Sequence, residues 1–88
     1  MAERTVPIVN KHGLHARPAA EMVKTASRFK SDITISRDDL EVNGKSIMGV
    51  MMLAAEYGAT ITLKASGPDA DDALDALSAL VAARFGET

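Results

Sequence analysis

The chain has 88 residues, with ten Lys and Arg, twelve Asp and Glu, two His and no Cys, giving a formal net charge of −2 and a pI of about 5.6. That length predicts one domain over residues 1–88 with a limited core, and the missing thiols exclude disulfides and thiolate metal sites. The N-terminal residues hold no apolar run that could act as a signal peptide, and no stretch nears the ~20 apolar residues of a membrane span, so a cytoplasmic protein with no membrane attachment is expected.

Residues 4–9 alternate, with Val6 and Ile8 on one side, and read as a strand; Pro7 has no ladder donor and points to a sheet edge or a strand end. A helix is predicted from Pro18 to about Phe29, burying Ala19, Met22, Val23, Ala26 and Phe29. Residues 31–37 alternate around Ile33 and Ile35, Asp38-Asp39 turns the chain, and residues 40–42 return to Asn43-Gly44 as a hairpin. Ser46 suits the N-cap of a short helix. Its apolar positions Ile47, Met48, Val50, Met51, Met52 and Leu53 cannot all face one core, so a Met-rich patch should stay exposed. Gly49 there implies close packing or a partner surface. Residues 60–65 alternate as a last strand. Gly67-Pro68-Asp69 then opens a helix with Asp69 as N-cap and a stripe of Ala70, Ala73, Leu74, Leu77, Leu80 and Val81. Arg84 suits its C-terminal end and Gly86 stops it. The order is β-α-β-β-α-β-α, and one-sided strands imply an antiparallel sheet with helices over one face.

The chemistry concentrates in residues 11–20, Lys-His-Gly-Leu-His-Ala-Arg-Pro-Ala-Ala. Gly13 permits a tight turn, and Pro18 belongs in the first turn of a helix. His15 therefore stands at or just before a helix N-terminus, where free amides and the dipole favour an anion. Arg17 adds a planar fork for phosphate oxygens. A near-neutral imidazole aimed at an anion site is what a phosphoryl acceptor requires. His12 lacks further His or Cys to make a metal site with His15, and reads as a loop residue with no assigned role. Through Lys30, six basic residues stand against two acidic ones; from Asp69 onward, five acidic residues stand against Arg84. A basic third around His15 favours acidic partners or phosphate.

Gly13-Leu14-His15-Ala16-Arg17-Pro18-Ala19 resembles the active-site signature of the HPr family, the histidine-containing phosphocarriers of the bacterial phosphoenolpyruvate:sugar phosphotransferase system. Asn43-Gly44-Lys45-Ser46-Ile47-Met48-Gly49-Val50-Met51 resembles that family's regulatory serine motif. The two lie in order at the family's separation, in a chain of the family's length. The resemblance implies an α+β open-faced sandwich, with four antiparallel strands covered on one face by three helices. It implies that His15 takes phosphate, on Nδ1, from phosphorylated enzyme I and passes it to an enzyme IIA, with Arg17 stabilising the phosphoryl group. It further implies that Ser46 is a target for an HPr kinase/phosphorylase. Ser46 as a cap and Ser46 as a switch are compatible, since phosphate is tolerated at a helix N-terminus. Ile47, Met48 and Met51, beside His15 and Arg17, are the expected docking surface. The carrier is expected to be a monomer and not itself an enzyme, with no cofactor and no metal.

Three alternatives are weighed against this reading. Ala54-Ala55-Glu56-Tyr57 departs from sugar-uptake carriers and leans toward the nitrogen-branch carrier, an NPr-like protein serving regulation. The same element order also occurs in RNA-recognition domains. Phe29, Tyr57 and Phe85 lie on no predicted strand, however, and the pI is wrong for nucleic acid. A ligand-sensing or interaction domain has no positive feature in its favour.

Overall fold

In the computed structural model, which describes residues 2–87, four strands form one sheet in the order β1-β4-β2-β3, every neighbouring pair antiparallel. They are β1 (Ala2–Pro7), β2 (Asp32–Arg37), β3 (Leu40–Asn43) and β4 (Thr60–Ser66); the helices are α1 (Ala16–Ala26), α2 (Ile47–Met52) and α3 (Ala70–Ala82). The architecture is the α+β open-faced sandwich expected. Register sets the face: Val6 opposes Ile61, and Leu63 opposes Ile35. Period-two alternation then puts Ile33, Ile35, Ile61, Leu63 and Ala65 on the buried side. Thr5 and Thr62 meet on the other side, their hydroxyls 3.2 Å apart. α3 lies on β1 and β4, α2 on β3, and α1 against both other helices. Ala19, Met22, Val50, Leu74, Leu77 and Val81 close the core from above.

Several boundaries differ from expectation, each for a local reason. β1 runs Ala2–Pro7 rather than 4–9, and Pro7 is both at the strand's end and on an edge strand, where a missing amide proton costs nothing. Ile8 still donates to the Ala59 carbonyl at 2.8 Å and is buried. α1 begins at Ala16, so Pro18 is its third residue; the first amides of a helix have no internal acceptor, and proline loses nothing there. α1 ends at Ala26, and Phe29 packs partly buried from the turn beyond it. Asp69 is the N-cap of α3 by position, but its carboxylate does not cap that helix. It accepts from the Lys30 and Ser31 amides and the Ser31 hydroxyl, tying the start of α3 to the entry of β2. α3 stops at Ala82 instead of reaching Gly86. Arg84 and Phe85 both have left-handed φ, 57° and 56°, in a 3-10 turn (Arg84–Gly86) that buries the Phe85 ring.

Candidate phosphoryl-acceptor site

His15 is the N-cap of α1, extended at φ −83°, and its carbonyl accepts the first helical bond from Ala19 at 3.0 Å. No side chain caps this helix. The amides of Ala16 and Arg17 therefore have no intrahelical acceptor, and Pro18 has no amide proton at all. The helix thus presents two donors and its positive dipole end beside an imidazole that is 42% exposed. Arg17 is exposed on the first turn and makes no ion pair or side-chain hydrogen bond among the described residues. Its guanidinium is free to fork onto an anion.

The loop before the helix is held from two directions. Gly13 takes φ +68° and its amide donates to the Asn10 carbonyl at 3.2 Å, while Leu14 donates to the Ala55 carbonyl at 2.8 Å. The Asn10 side chain, 1% exposed, donates to the Gly13 carbonyl at 2.8 Å. The segment that follows α2 thus buttresses the turn carrying His15. His12 is exposed and meets His15 edge to face, ring centres 5.9 Å apart. Among the described residues no three His, Cys, Asp or Glu side chains gather as a metal-binding group.

One partner of His15 escaped the sequence reading. Glu87, 72 residues away, accepts from His15 Nε2 at 2.9 Å and from Asn10 Nδ2 at 2.9 Å. Burial pushes its carboxyl up. The Asn10 and His15 hydrogen bonds, with the charges of His15 and His12, outweigh that and hold it below the usual range. The surroundings of His15 are therefore not uniformly basic, as the run of cations had implied. No local signal marked Glu87; only the fold brings it to this loop.

α2 presents the expected apolar patch. Ile47, Met48 and Met51 are 45%, 76% and 42% exposed, and Met52, in the expected apolar run but not among the expected docking residues, is 65% exposed, while Val50 is fully buried. Ser46 caps the helix as predicted, its hydroxyl accepting from the Gly49 amide at 3.1 Å. Gly49 is where α2 meets β3, since a Cβ there would lie 3.3 Å from Val42 Cβ. Arg37 closes the other end, donating to the Leu53 and Ala54 carbonyls at 3.2 and 2.8 Å and pairing with Glu56 at 2.8 Å. The Lys45 ammonium donates to the Phe29 carbonyl at 2.8 Å, so it is tied down beside Ser46.

The family described as "PTS HPr component phosphorylation site" matches residues 2–83. The phosphocarrier protein HPr of Cupriavidus necator is 53% identical over 87 residues, spanning 99% of this chain and 98% of its own. The phosphocarrier protein NPr of Shewanella violacea is 48% identical over 85 residues, spanning 97% and 93%. HPr from Thermoanaerobacter tengcongensis superposes with a TM-score of 0.96 at 49% identity, covering 100% of this chain and 99% of its own; a dimer of HPr from the same organism gives 0.80. Further relatives named HPr, from Neisseria, Xylella and Treponema, also span 99% of the chain, so the nitrogen-branch reading is not favoured. The chain belongs to the HPr family, the phosphocarriers of the phosphotransferase system.

Proposed function

We propose that His15 is the phosphoryl acceptor, taking phosphate from phosphorylated enzyme I and delivering it to an enzyme IIA. The observation that carries this is His15 at the uncapped N-terminus of α1 beside an unpaired Arg17. An imidazole nitrogen attacks phosphorus; the Ala16 and Arg17 amides and the Arg17 fork take up the negative charge of the oxygens. The exposed Ile47, Met48 and Met51 form the docking surface, small and adaptable enough for two successive partners. The protein acts as a monomer in the cytoplasm and catalyses nothing alone; its partners supply the rest of each active site. Ser46, at the rim of that surface, is a regulatory phosphorylation site for an HPr kinase/phosphorylase.

Incubation with enzyme I and labelled phosphoenolpyruvate tests this. Wild type takes up an acid-labile, base-stable label that His15→Ala lacks. Arg17→Ala keeps its fold by circular dichroism and is labelled about a hundredfold more slowly. Normal labelling of His15→Ala removes the assignment.

A further inference from the structure

Arg84 and Phe85 occupy the left-handed region in succession, φ +57° and +56°, a conformation that ordinary side chains avoid. The kink seats Phe85 in the core, 5% exposed, which offsets the strain. It also turns residues 86–87 back across the loop that carries His15. There the Glu87 carboxylate bridges two donors of that loop, Asn10 Nδ2 on Oε1 and His15 Nε2 on Oε2, both at 2.9 Å. Asn10 is buried, and the same amide nitrogen donates to the Gly13 carbonyl at 2.8 Å. That nitrogen faces two acceptors, so the orientation of the Asn10 amide is determined, and Glu87 cannot swing away without leaving a buried donor unpaired. The groups facing Glu87 are Asn10, His15 and His12; together they keep the carboxylate ionised where an imidazole titrates. An ionised carboxylate only accepts. The ring nitrogen against it must carry the proton, which in the neutral imidazole leaves the lone pair on Nδ1.

We propose that Glu87, clamped by Asn10, is a positioning residue for phosphoryl transfer: by accepting from Nε2 it holds His15 in the tautomer that leaves the lone pair on Nδ1, the nitrogen the family resemblance already implies, and it counters the charge the ring acquires. The proposal rests on His15 as acceptor. The Nδ1 lone pair forms a bond to phosphorus while the bond from phosphorus to its donor atom on enzyme I breaks, its electron pair leaving with that atom. No proton moves on this side, and the ring goes from neutral to imidazolium beside the carboxylate. On delivery the P–Nδ1 bond breaks, the pair returns to Nδ1, and the neutral Nε2–H ring is restored. A carboxylate that orients an imidazole and stabilises its cation without taking the proton follows the logic of hydrolase triads.

The test uses the full chain with nitrogen-15-labelled histidine, unphosphorylated, above the imidazole titration. In wild type the His15 nitrogens report the Nε2–H form alone. In Glu87→Ala they move to the averaged values of a free imidazole, and phosphorylation by enzyme I slows about tenfold. Glu87→Gln has one oxygen for two donors: with that oxygen on Asn10 Nδ2 its NH2 faces His15 Nε2, so the His15 nitrogens shift toward the Nδ1–H form and labelling is slower than wild type; it also stands in should Glu87→Ala disturb amide shifts beyond residues 10–17 and 84–87. Unchanged His15 nitrogen shifts in Glu87→Ala overturn the proposal, as do shifted nitrogens with a wild-type rate. The tautomer is read without phosphate, so failure of His15 as acceptor would show separately, in His15→Ala.

Discussion

Gly13 shows how a single residue sets the site. It takes φ +68°, and a Cβ there would collide with the Ala55 carbonyl oxygen and come within 2.9 Å of the Glu56 Cα, both backbone atoms that cannot rotate away. The same contact carries the Leu14–Ala55 hydrogen bond, so the close approach that forbids a side chain is what fixes the turn before His15. Gly13→Ala should therefore lower stability by ~2 kcal/mol or more, from strain at positive φ plus the displaced backbone. It should also slow labelling of His15, because the turn and the helix start move together. Urea unfolding and initial labelling rate measure the two effects; a variant with wild-type values for both would mean the turn accommodates the methyl group.

Among the elements, α2 couples stability to docking. It is six residues long, too short to be helical on its own, and is held by its two ends and by Gly49 against β3. Ser46 supplies one end and Arg37 the other. Ser46→Ala removes the cap and should cost ~1 kcal/mol, a fall in Tm of about 4–8 °C, with His15 labelled at a near-normal rate. Ser46→Asp keeps an acceptor at the cap and adds charge where the dipole welcomes it, so Tm should stay near wild type. That charge lies beside Ile47 and Met48 on the docking surface and should slow labelling by enzyme I about tenfold through like-charge contact, less so at high salt. Labelling of Ser46→Asp at the wild-type rate across a salt series would leave Ser46 as a helix cap alone. Arg37 has a matching role that composition could not reveal: it looks like a strand cation and acts as the C-terminal clamp of α2.

At the scale of the whole molecule, long-range polar ties join elements distant in sequence, and Asp69 carries one that acid removes. The Ser31 hydroxyl and the Lys30 and Ser31 amides hold its carboxyl down to about 2. Its folded pKa lies below the unfolded value of ~3.9, so its contribution is complete above that value. The contribution is lost as pH falls from there through 2. Wild type should therefore lose Tm steeply between about pH 4 and pH 2, and Asp69→Asn, already less stable at neutral pH, should lose less over the same interval. Scanning calorimetry of the two proteins at matched pH measures the difference, and parallel curves would mean Asp69 is not what acid removes. Gly67 belongs to the same junction, its φ of 150° letting the chain pass Ser31 Cα, which an added Cβ would approach to 2.7 Å.

Local chemistry was enough to read the elements, their order, the exposed patch on residues 47–51 and the place of His15. Period-two runs, the Pro18 and Ser46 helix starts and the Gly13 turn each act over a few residues, so the string of letters carries them. The same locality explains the misplaced ends. Pro18 marks a helix start without saying which of the first three positions it fills. Asp69 has the side chain of a cap, and only the approach of residues 30–31 diverts it. Pairing of β1 with β4 and the seating of Phe85 are decided by tertiary packing, because many registers and helix ends satisfy the local rules and only one buries those side chains together. Glu87 is the clearest case. Read along the chain it is one acidic residue near the end; folded, its oxygens lie 2.9 Å from Asn10 and from His15, because the burial of Phe85 turns residues 86–87 onto that loop.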